Sequence, residues 1–258
     1  MEPIIWNVDP VLLSFGSLKV HWYGLIFAAA MFSGFHIMNY IYKKEKKSVE
    51  SLESLFIYIL IGIVVGARLG HCFFYDPEFY LNNPLKIIAV WEGGLASHGG
   101  GLGAMLGSYL YAKKHKINYL WLLDKLAIPT AVFAFFVRMG NLMNSEILGV
   151  QTNVAWAVVF SRVDNIPRHP AQLYEAISYL LISFVLFMIY IYTKKEANKG
   201  YIFGMFLSLV FSARFLIEFV KSEQSAYSTV FISTGQMLSI PFLILGIILI
   251  QRSLKTKN

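Results

Sequence analysis

Apolar stretches long enough to cross a lipid bilayer recur along the whole sequence, and they constrain the fold more than any other feature. A membrane-spanning helix needs about 20 mostly apolar residues, and we identify seven such stretches in the 258 residues. They lie at 20–42, 52–72, 94–112, 120–137, 172–192, 201–220 and 231–250. Charged residues make up only 14% of the chain, whereas soluble domains carry about 25%. The sequence therefore predicts an all-α polytopic membrane protein that forms a single integral membrane domain over residues 1–258.

Lysine and arginine are distributed unevenly between the loops, and this distribution predicts the orientation of the chain. Thirteen of them follow the first, third, fifth and seventh spans, whereas five lie in loops on the opposite side. Basic residues accumulate in short cytoplasmic loops, so we expect the N-terminus outside and the C-terminus in the cytoplasm. The lysine clusters lie beside spans, where anionic lipid headgroups attract them. The net charge of +7 therefore does not indicate nucleic acid as a partner.

The two longest connections between spans, 73–93 and 138–171, fall on the outer side in this topology. The second is rich in polar residues and is predicted to be an outer-face insertion between spans four and five. Its stretch 154–160 concentrates β-branched and aromatic residues, which predicts a short strand. The outer face is therefore expected to carry a small irregular region, and with it the functional residues.

Three arginines lie inside predicted spans, toward their outer ends: Arg68, Arg138 and Arg214. An arginine at the centre of a membrane helix costs about 2.5–3.5 kcal/mol on insertion scales, so these three need a compensating environment. A guanidinium group matches a phosphate through two parallel hydrogen bonds, and lipid phosphates lie at this depth. We predict that the three converge on one polar cavity that binds lipid phosphate. The alternative is local ion pairing, as of Arg214 with Glu218 one helical turn later.

Lys125 also falls inside a predicted span, but near its cytoplasmic start. A lysine side chain has a long aliphatic stem that can carry the ammonium group to water. We therefore expect Lys125 to reach the membrane surface and to need no partner inside the protein.

A glycine-rich run surrounds His98 at the predicted start of the third span. Flanking glycines let a substrate approach the imidazole, and an unperturbed histidine pKa near 6.5 suits a general base. Close helix packing is the simpler explanation of the glycines, as it is for Gly62, Gly66 and Gly70 in the second span. A lone histidine is also more often structural than catalytic. The residues alone leave both interpretations of His98 open.

The run 138–149, which closes span four, contains amides, a carboxylate and glycines. Asn141, Asn144 and Glu146 have the donors and acceptors to bind lipid hydroxyls or to brace the arginine that opens the run. A helix that breaks at Gly140 is the alternative explanation.

Several catalytic classes lack their residues in this sequence. There is no HExxH motif and no GxSxG motif, and the four aspartates stand in loops or at a helix start. Zinc hydrolysis, serine hydrolysis and magnesium-assisted phosphoryl transfer are therefore not expected, and neither a metal nor another cofactor is predicted. The single cysteine, Cys72, excludes a disulfide framework.

Short motifs along nearly the whole chain resemble those of the bacterial prolipoprotein diacylglyceryl transferases. They are DP at 9–10, HWYG at 21–24, GARLG at 66–70, GLASHGG at 94–100, RMGN at 138–141, NSE at 144–146, RHPAQLYE at 168–175, RF at 214–215, EF at 218–219 and GQMLS at 235–239. Each motif is weak alone, but their order and spacing on a chain with seven spans are highly specific.

The resemblance implies an enzyme that moves the sn-1,2-diacylglyceryl group of phosphatidylglycerol to the lipobox cysteine thiol of a prolipoprotein. The products would be a thioether and glycerol phosphate. It implies a multi-pass protein of the bacterial cytoplasmic (inner) membrane, with its active site toward the outer leaflet. The expected partners are phosphatidylglycerol, the prolipoprotein signal peptide and membrane lipids, and the expected state is a monomer.

The important positions of that family match Tyr23, His98, Arg138, Asn141, Glu146, Gly149 and Arg214. The counterpart of Arg138 contacts the lipid phosphate, and Arg68 and Glu218 are expected to add to substrate binding, with Glu218 positioning Arg214. Arginines suit the negative charge that develops on a departing phosphate. His98 is the preferred base for the thiol, and a thiol pKa lowered by the arginines alone is the alternative.

Two other classes of protein remain open at this point. A transporter or channel for an anionic lipid or metabolite would also place arginines in a cavity, but it predicts a pathway to both faces and often inverted repeats. A purely structural membrane scaffold leaves the intramembrane arginines unexplained.

Overall fold

The computed structural model describes residues 3–16, 18–193, 198–222 and 232–255, and most of them are helical. The helices are α1 (Trp22–Lys44), α2 (Val49–Phe74), α3 (Pro77–Asn82), α4 (Ser97–Lys114), α5 (Tyr119–Met143), α6 (Ala171–Tyr192), α7 (Tyr201–Ile217) and α8 (Thr234–Lys255). The chain divides into a larger unit, Met1–Ile37 with Leu123–Asn258, and a smaller unit, Met38–Leu122.

Six helices in the described ranges are long and apolar enough to cross a membrane: α1, α2, α5, α6, α8 and α7 with its extension to Val220. They overlap six of the seven predicted spans. The remaining prediction, 94–112, corresponds to α4, which is not among the six. This helix contains five glycines and ends in two lysines, which lowers its hydropathy. The chain is a polytopic membrane protein, and the seventh span, the orientation of the termini and the single-domain organisation stay predictions.

The described part of the larger unit contains five short strands: β1 (Ile4–Trp6), β2 (Val11–Phe15), β3 (Leu18–His21), β4 (Val158–Phe160) and β5 (Pro167–Arg168). Strands β1 and β4 pair in parallel and β4 and β5 antiparallel, while β2 and β3 form an antiparallel pair directly before α1. The strand predicted within 154–160 is confirmed as β4, but it is only three residues long.

The three-stranded sheet packs against the last turn of α5. Phe160 and Val158 of β4 are buried against Leu142. The indole Nε1–H of Trp6 in β1 donates to the Leu142 carbonyl at 3.0 Å. These contacts tie the 138–171 connection back to the helix from which it leaves.

Helix α5 continues through Gly140 to Met143, so the alternative explanation, a helix break at Gly140, is wrong. The glycine serves packing instead, because a Cβ atom there would lie 2.8 Å from Cδ2 of the Tyr23 ring. The helical conformation ends further on, where Ser145 and Ile147 both have a positive φ, of 54° and 58°.

Lys125 does not reach water, contrary to expectation. It is 1% exposed, and its Nζ lies 4.4 Å from the centre of the Tyr190 ring. The neighbouring Asp124 carboxylate accepts the backbone N–H groups of Gly200 and Phe203, at 2.6 and 2.8 Å. The first turn of α7 is therefore capped by a side chain of α5.

In the smaller unit, α2 and α4 pack backbone against backbone. A Cβ atom on Gly103 of α4 would overlap the carbonyl oxygen of Gly62, and one on Gly66 would overlap the carbonyl oxygen of Gly99. Small residues are what allow two membrane helices to approach this closely. The packing interpretation of the glycines in the second span is therefore confirmed.

Gly103→Ala is expected to destabilise the protein, because the added methyl group has to push α2 away from α4. Overpacking of this kind costs about 2 kcal/mol, which corresponds to a melting temperature lower by roughly 4–8 °C for a chain of this size. Gly101→Ala is the matched control, since a Cβ atom on Gly101 meets nothing within 4 Å. Equal melting temperatures of the two variants in detergent would contradict this packing.

Candidate functional site

Arg138 of α5 is held from two sides in the larger unit. Its Nε lies 2.9 Å from Oε2 of Glu175, a fully buried carboxylate on the first turns of α6. Its Nη1 donates to Oδ1 of Asn141 at 3.1 Å. A guanidinium group has five N–H donors, so no more than three remain on the edge formed by the two Nη atoms, which the Tyr179 hydroxyl also approaches. This edge is the part of Arg138 that can bind an anion.

The Asn141 amide continues this chain of hydrogen bonds to Glu146. Its Nδ2 donates to Oε2 of Glu146 at 3.0 Å, and Nδ2 of Asn144 donates to Oε1 at 3.0 Å. The backbone carbonyl of Glu146 accepts Nε2–H of Gln172 from α6. These contacts match the interpretation that the amides brace Arg138, whereas their binding to lipid hydroxyls stays a prediction.

Lys221 is a further cation at this site, beside Arg138, and it was not predicted from the sequence. Its side chain is 6% exposed, and its Nζ lies 3.5 Å from Oε1 of Glu175 and 3.2 Å from Oε2 of Glu218. Glu175 therefore lies between two cations, Arg138 and Lys221. We call Arg138, Glu175, Lys221, Glu218 and Arg214 the charged cluster.

Arg214 differs from the other two cations of the charged cluster. Its Nε is buried without a hydrogen-bond partner, and within the described ranges Arg214 forms no ion pair. The Tyr179 hydroxyl, 3.4 Å from Oε1 of Glu175, lies within electrostatic range of both Arg138 and Arg214. Two arginines predicted for the site are thus near one side chain, and the alternative, local pairing of Arg214 with Glu218, is not seen.

Two glycines let the backbone approach this cluster. A Cβ atom on Gly149 would overlap the carbonyl oxygen of His169 and lie 2.8 Å from that of Val220. A Cβ atom on Gly235, in the first turn of α8, would overlap Oε1 of Glu218. Gly149 is therefore needed for the close approach of the backbone at Val220, directly before Lys221. Gly235 is needed to leave room for the Glu218 carboxylate.

Tyr23 lies at the start of α1, with its ring against Gly140. Its hydroxyl is within electrostatic range of Glu146 and Arg138. The structure thus brings Tyr23, Arg138, Asn141, Glu146, Gly149, Arg214 and Glu218 into the larger unit, while Arg68 and His98 lie in the smaller one.

Arg68 donates to backbone carbonyl groups. Its Nε–H donates to Ile87 at 2.9 Å, its Nη2 to Lys86 at 2.5 Å, and its Nη1 to Gly93 and Gly94. The guanidinium group is 5.0 Å from the Tyr80 ring. These contacts favour a role in organising the segment before α4, and phosphate binding by Arg68 stays a prediction.

His98 lies in the first turn of α4, with an exposed side chain. The described residues provide it with no hydrogen-bond partner. The turn itself is fixed, because the N–H of Ala96 donates to the carbonyl of Ala67 at 2.9 Å. The imidazole is therefore accessible on a rigid backbone, as a base would need to be.

The sequence contained a signal that could have identified Glu175 as a site residue, because Glu175 falls inside the predicted span 172–192. A carboxylate inside a membrane helix requires a partner for the same reason as an arginine does. Lys221 gave no comparable signal, because a lysine just after a span is typical of a membrane surface.

Arg168 and Asp164 form an ion pair outside the spans. Nη2 of Arg168 lies 2.5 Å from Oδ2 of Asp164, and its Nη1 donates to the Gly149 carbonyl at 3.3 Å. The hydrogen bond from Arg168 holds the pKa of the Asp164 carboxyl below its usual value, and an N–H from Ile166 adds to this. The pair connects the loop before β5 to the backbone of the site.

These fold and site features define a class: a polytopic membrane protein with a cluster of buried and half-buried charges, in which one arginine has no ion pair among the residues that the structure describes. Comparison with known proteins gives the family. The profile of the prolipoprotein diacylglyceryl transferase family matches residues 10–252. The chain belongs to this family.

Several curated relatives, each called phosphatidylglycerol–prolipoprotein diacylglyceryl transferase, are similar to the chain over nearly its full length. The protein of Tolumonas auensis is 51% identical over 98% of this chain and 99% of its own. The protein of Chloroherpeton thalassium is 45% identical over 98% and 95%, and that of Bacteroides fragilis is 43% identical over 95% and 93%.

Asp164→Asn is expected to lower the melting temperature at neutral pH and to have no effect in acid. A carboxyl group whose pKa is lowered by folding stabilises the fold above its unfolded pKa of about 3.9. That contribution is lost as the pH falls through the folded pKa, so the two proteins should converge there. Melting curves of both proteins between pH 7 and pH 3 measure this.

Asp9→Asn is the control for that experiment. Asp9 is 77% exposed, and its Oδ1 lies 3.8 Å from Nη1 of Arg162, so this ion pair should contribute little. A pH-independent difference between the Asp164 variant and the unmodified protein would show that the carboxylate charge is not what stabilises this loop.

Proposed function

We propose that this protein transfers the diacylglyceryl group of phosphatidylglycerol to the lipobox cysteine of prolipoproteins. The names of its relatives give these two substrates for those proteins. The observation that carries the proposal here is the buried, unpartnered Nε of Arg214 beside a second arginine with a free edge. Arg214 is half-buried and forms no ion pair within the described ranges, so a lipid phosphate would supply the anion that its charge lacks.

The reaction forms one bond and breaks one. The cysteine sulfur attacks the glycerol carbon that carries the phosphate, and the bond from this carbon to the phosphate oxygen breaks. The product is a thioether, and glycerol phosphate leaves with the bonding electron pair. Arg138 and Arg214 stabilise the negative charge that accumulates on the leaving oxygen atoms.

The braces around Arg138 support this role. Glu175 occupies its Nε and Asn141 one Nη1 hydrogen, so the free edge keeps one orientation. Fixed donors do not have to reorganise when charge develops, which is the main source of electrostatic catalysis. Tyr23 and Glu146 are proposed to bind the glycerol hydroxyl groups of the headgroup.

His98 is proposed to take the thiol proton. Thiolate is the nucleophilic form, and a free thiol has a pKa of about 8.5, so a base raises its population at neutral pH. The exposed imidazole without a partner among the described residues supports this assignment. No metal or cofactor takes part in the proposed reaction.

The proposed setting is the bacterial inner membrane, with the site toward the outer leaflet and the protein as a monomer. The distribution of lysine and arginine between the loops supports the orientation.

Purified protein, labelled phosphatidylglycerol and a lipobox peptide test the proposal. Arg138→Ala and Arg214→Ala should each lower kcat/KM about 100-fold or more, because each removes a donor to the developing charge. His98→Asn should lower kcat and leave the binding of phosphatidylglycerol unchanged. Lys19→Met, at an exposed lysine in β3, is the control.

Peptide mass gain by one diacylglyceryl group is the expected product signal. Movement of labelled lipid across vesicles without a covalent product would instead identify a transporter. Cys72→Ser should keep full activity, because the reacting thiol belongs to the substrate, and a loss of turnover in that variant would contradict the scheme.

A further inference from the structure

We infer that Lys221 is a positioning residue that holds the Glu218 carboxylate away from Arg214. Arg214 then stays free for the anionic headgroup of the lipid substrate. This inference rests on the proposed function for its catalytic consequence, but the ion-pair arrangement can be tested by lipid binding alone.

The spacing of Arg214 and Glu218 would ordinarily favour their pairing. Residues four apart on a helix lie on the same face, and opposite charges at this spacing attract. Here α7 ends at Ile217, and Glu218–Val220 forms a 3₁₀ turn. The tighter turn is followed by Lys221, whose Nζ lies 3.2 Å from Oε2 of Glu218.

The backbone fixes Lys221 in that position. Its N–H donates to the Glu218 carbonyl at 3.3 Å, and it pairs with Gly149 in an isolated antiparallel bridge. The next residue, Ser222, donates its N–H and its hydroxyl to the Leu148 carbonyl at 3.0 and 2.7 Å. Contacts on both sides of Lys221 thus hold its backbone in a position from which the ammonium group reaches Glu218.

Gly235 is the second residue that positions the Glu218 carboxylate. The Glu218 carboxylate lies so close to Gly235 that a Cβ atom there would overlap Oε1. The carboxylate therefore has a defined seat between α8 and the Lys221 ammonium group. Arg214 has no share in this arrangement, which agrees with its unpartnered Nε.

Removal of the Lys221 charge changes which cation is available to Glu218. Glu175 keeps Arg138 as a partner at 2.9 Å, but Glu218 loses the only cation that it contacts within the described ranges. The nearest cation without a carboxylate in the charged cluster is Arg214, one helical turn away. Glu218 would then pair with Arg214 and compete with the lipid phosphate.

A double-mutant cycle tests this competition. Lys221→Met should raise KM for phosphatidylglycerol about tenfold, since one charged hydrogen-bond donor to the phosphate is lost. Adding Glu218→Gln to that variant should restore most of the affinity for phosphatidylglycerol, because the neutral glutamine side chain does not form an ion pair with Arg214. Glu218→Gln alone completes the cycle, Lys221→Arg should retain most activity, and Lys19→Met is the matched lysine control.

Two outcomes would overturn the inference. One is a KM of the Lys221→Met variant equal to that of the unmodified protein, and the other is a double variant no better than Lys221→Met. A lysine that only supports folding would lower the melting temperature and would not be rescued by a change at Glu218. Melting temperatures are therefore measured for every variant.

Gly235→Ala provides a second route if Lys221→Met does not fold. The added methyl group displaces the Glu218 carboxylate while Lys221 is present, so KM should rise. Glu218→Ala in the same chain should restore it, and a failure of this restoration contradicts the inference.

Lipid binding separates this inference from the proposed function. Stabilisation of the protein by phosphatidylglycerol, relative to phosphatidylcholine, is measured as the shift in melting temperature. If the unmodified protein binds phosphatidylglycerol but forms no product, the proposed function fails, while the cycle in binding still decides the role of Lys221. Loss of binding in Lys221→Met with recovery in the double variant supports the inference without any turnover.

Discussion

The shared Glu175 carboxylate is the interaction on which the site depends. A fully buried carboxylate is strongly unfavourable unless it is paired, and Glu175 is paired twice, with Arg138 and with Lys221. It thereby connects α5, the first turns of α6 and the segment after α7. Loss of this one side chain would leave Arg138 without a carboxylate partner and Lys221 with Glu218 alone.

The backbone around this carboxylate is shaped to bring polar groups together at short range. Gly140, Gly149 and Gly235 each stand where a Cβ atom would meet a neighbouring atom at 2.8 Å or less. Ile147, a β-branched residue, has a φ of 58°, which costs about 1–3 kcal/mol and persists only where the surroundings impose it. That strain is located next to Glu146, whose carbonyl is held by Gln172 of α6. Rigidity is thus obtained from close packing and strained turns, and it gives the polar side chains fixed positions.

The helices were predictable because membrane insertion depends on length and hydropathy, which are local properties of the sequence. Arg138, Asn141 and Glu146 were predictable as a group for a similar reason, since they lie within nine residues of one another. Pairing between residues distant in the chain was not predictable, because the cost of membrane insertion is assessed for each charge alone. On that basis Lys125 was predicted to reach water, and Lys221 was assigned to the membrane surface. Local end signals likewise left a break at Gly140 as an alternative. The packing role of this glycine could not be predicted, because the Tyr23 ring that needs the space is more than 100 residues away in the chain.

The balance of charge in the cluster fits the proposed reaction. Within the described ranges, Arg138 and Lys221 form ion pairs with Glu175 and Glu218, whereas Arg214 forms none, so no carboxylate in direct contact compensates the charge of Arg214. A phosphodiester such as phosphatidylglycerol carries one negative charge and would neutralise it. The departing phosphate monoester carries nearly two at neutral pH, so the cluster attracts it more strongly as the bond breaks. An interaction that strengthens toward the transition state accelerates a reaction, whereas equal binding of substrate and transition state does not. A site in which every arginine had its own carboxylate would lack this property, and this is why the separation of Glu218 from Arg214 matters for catalysis.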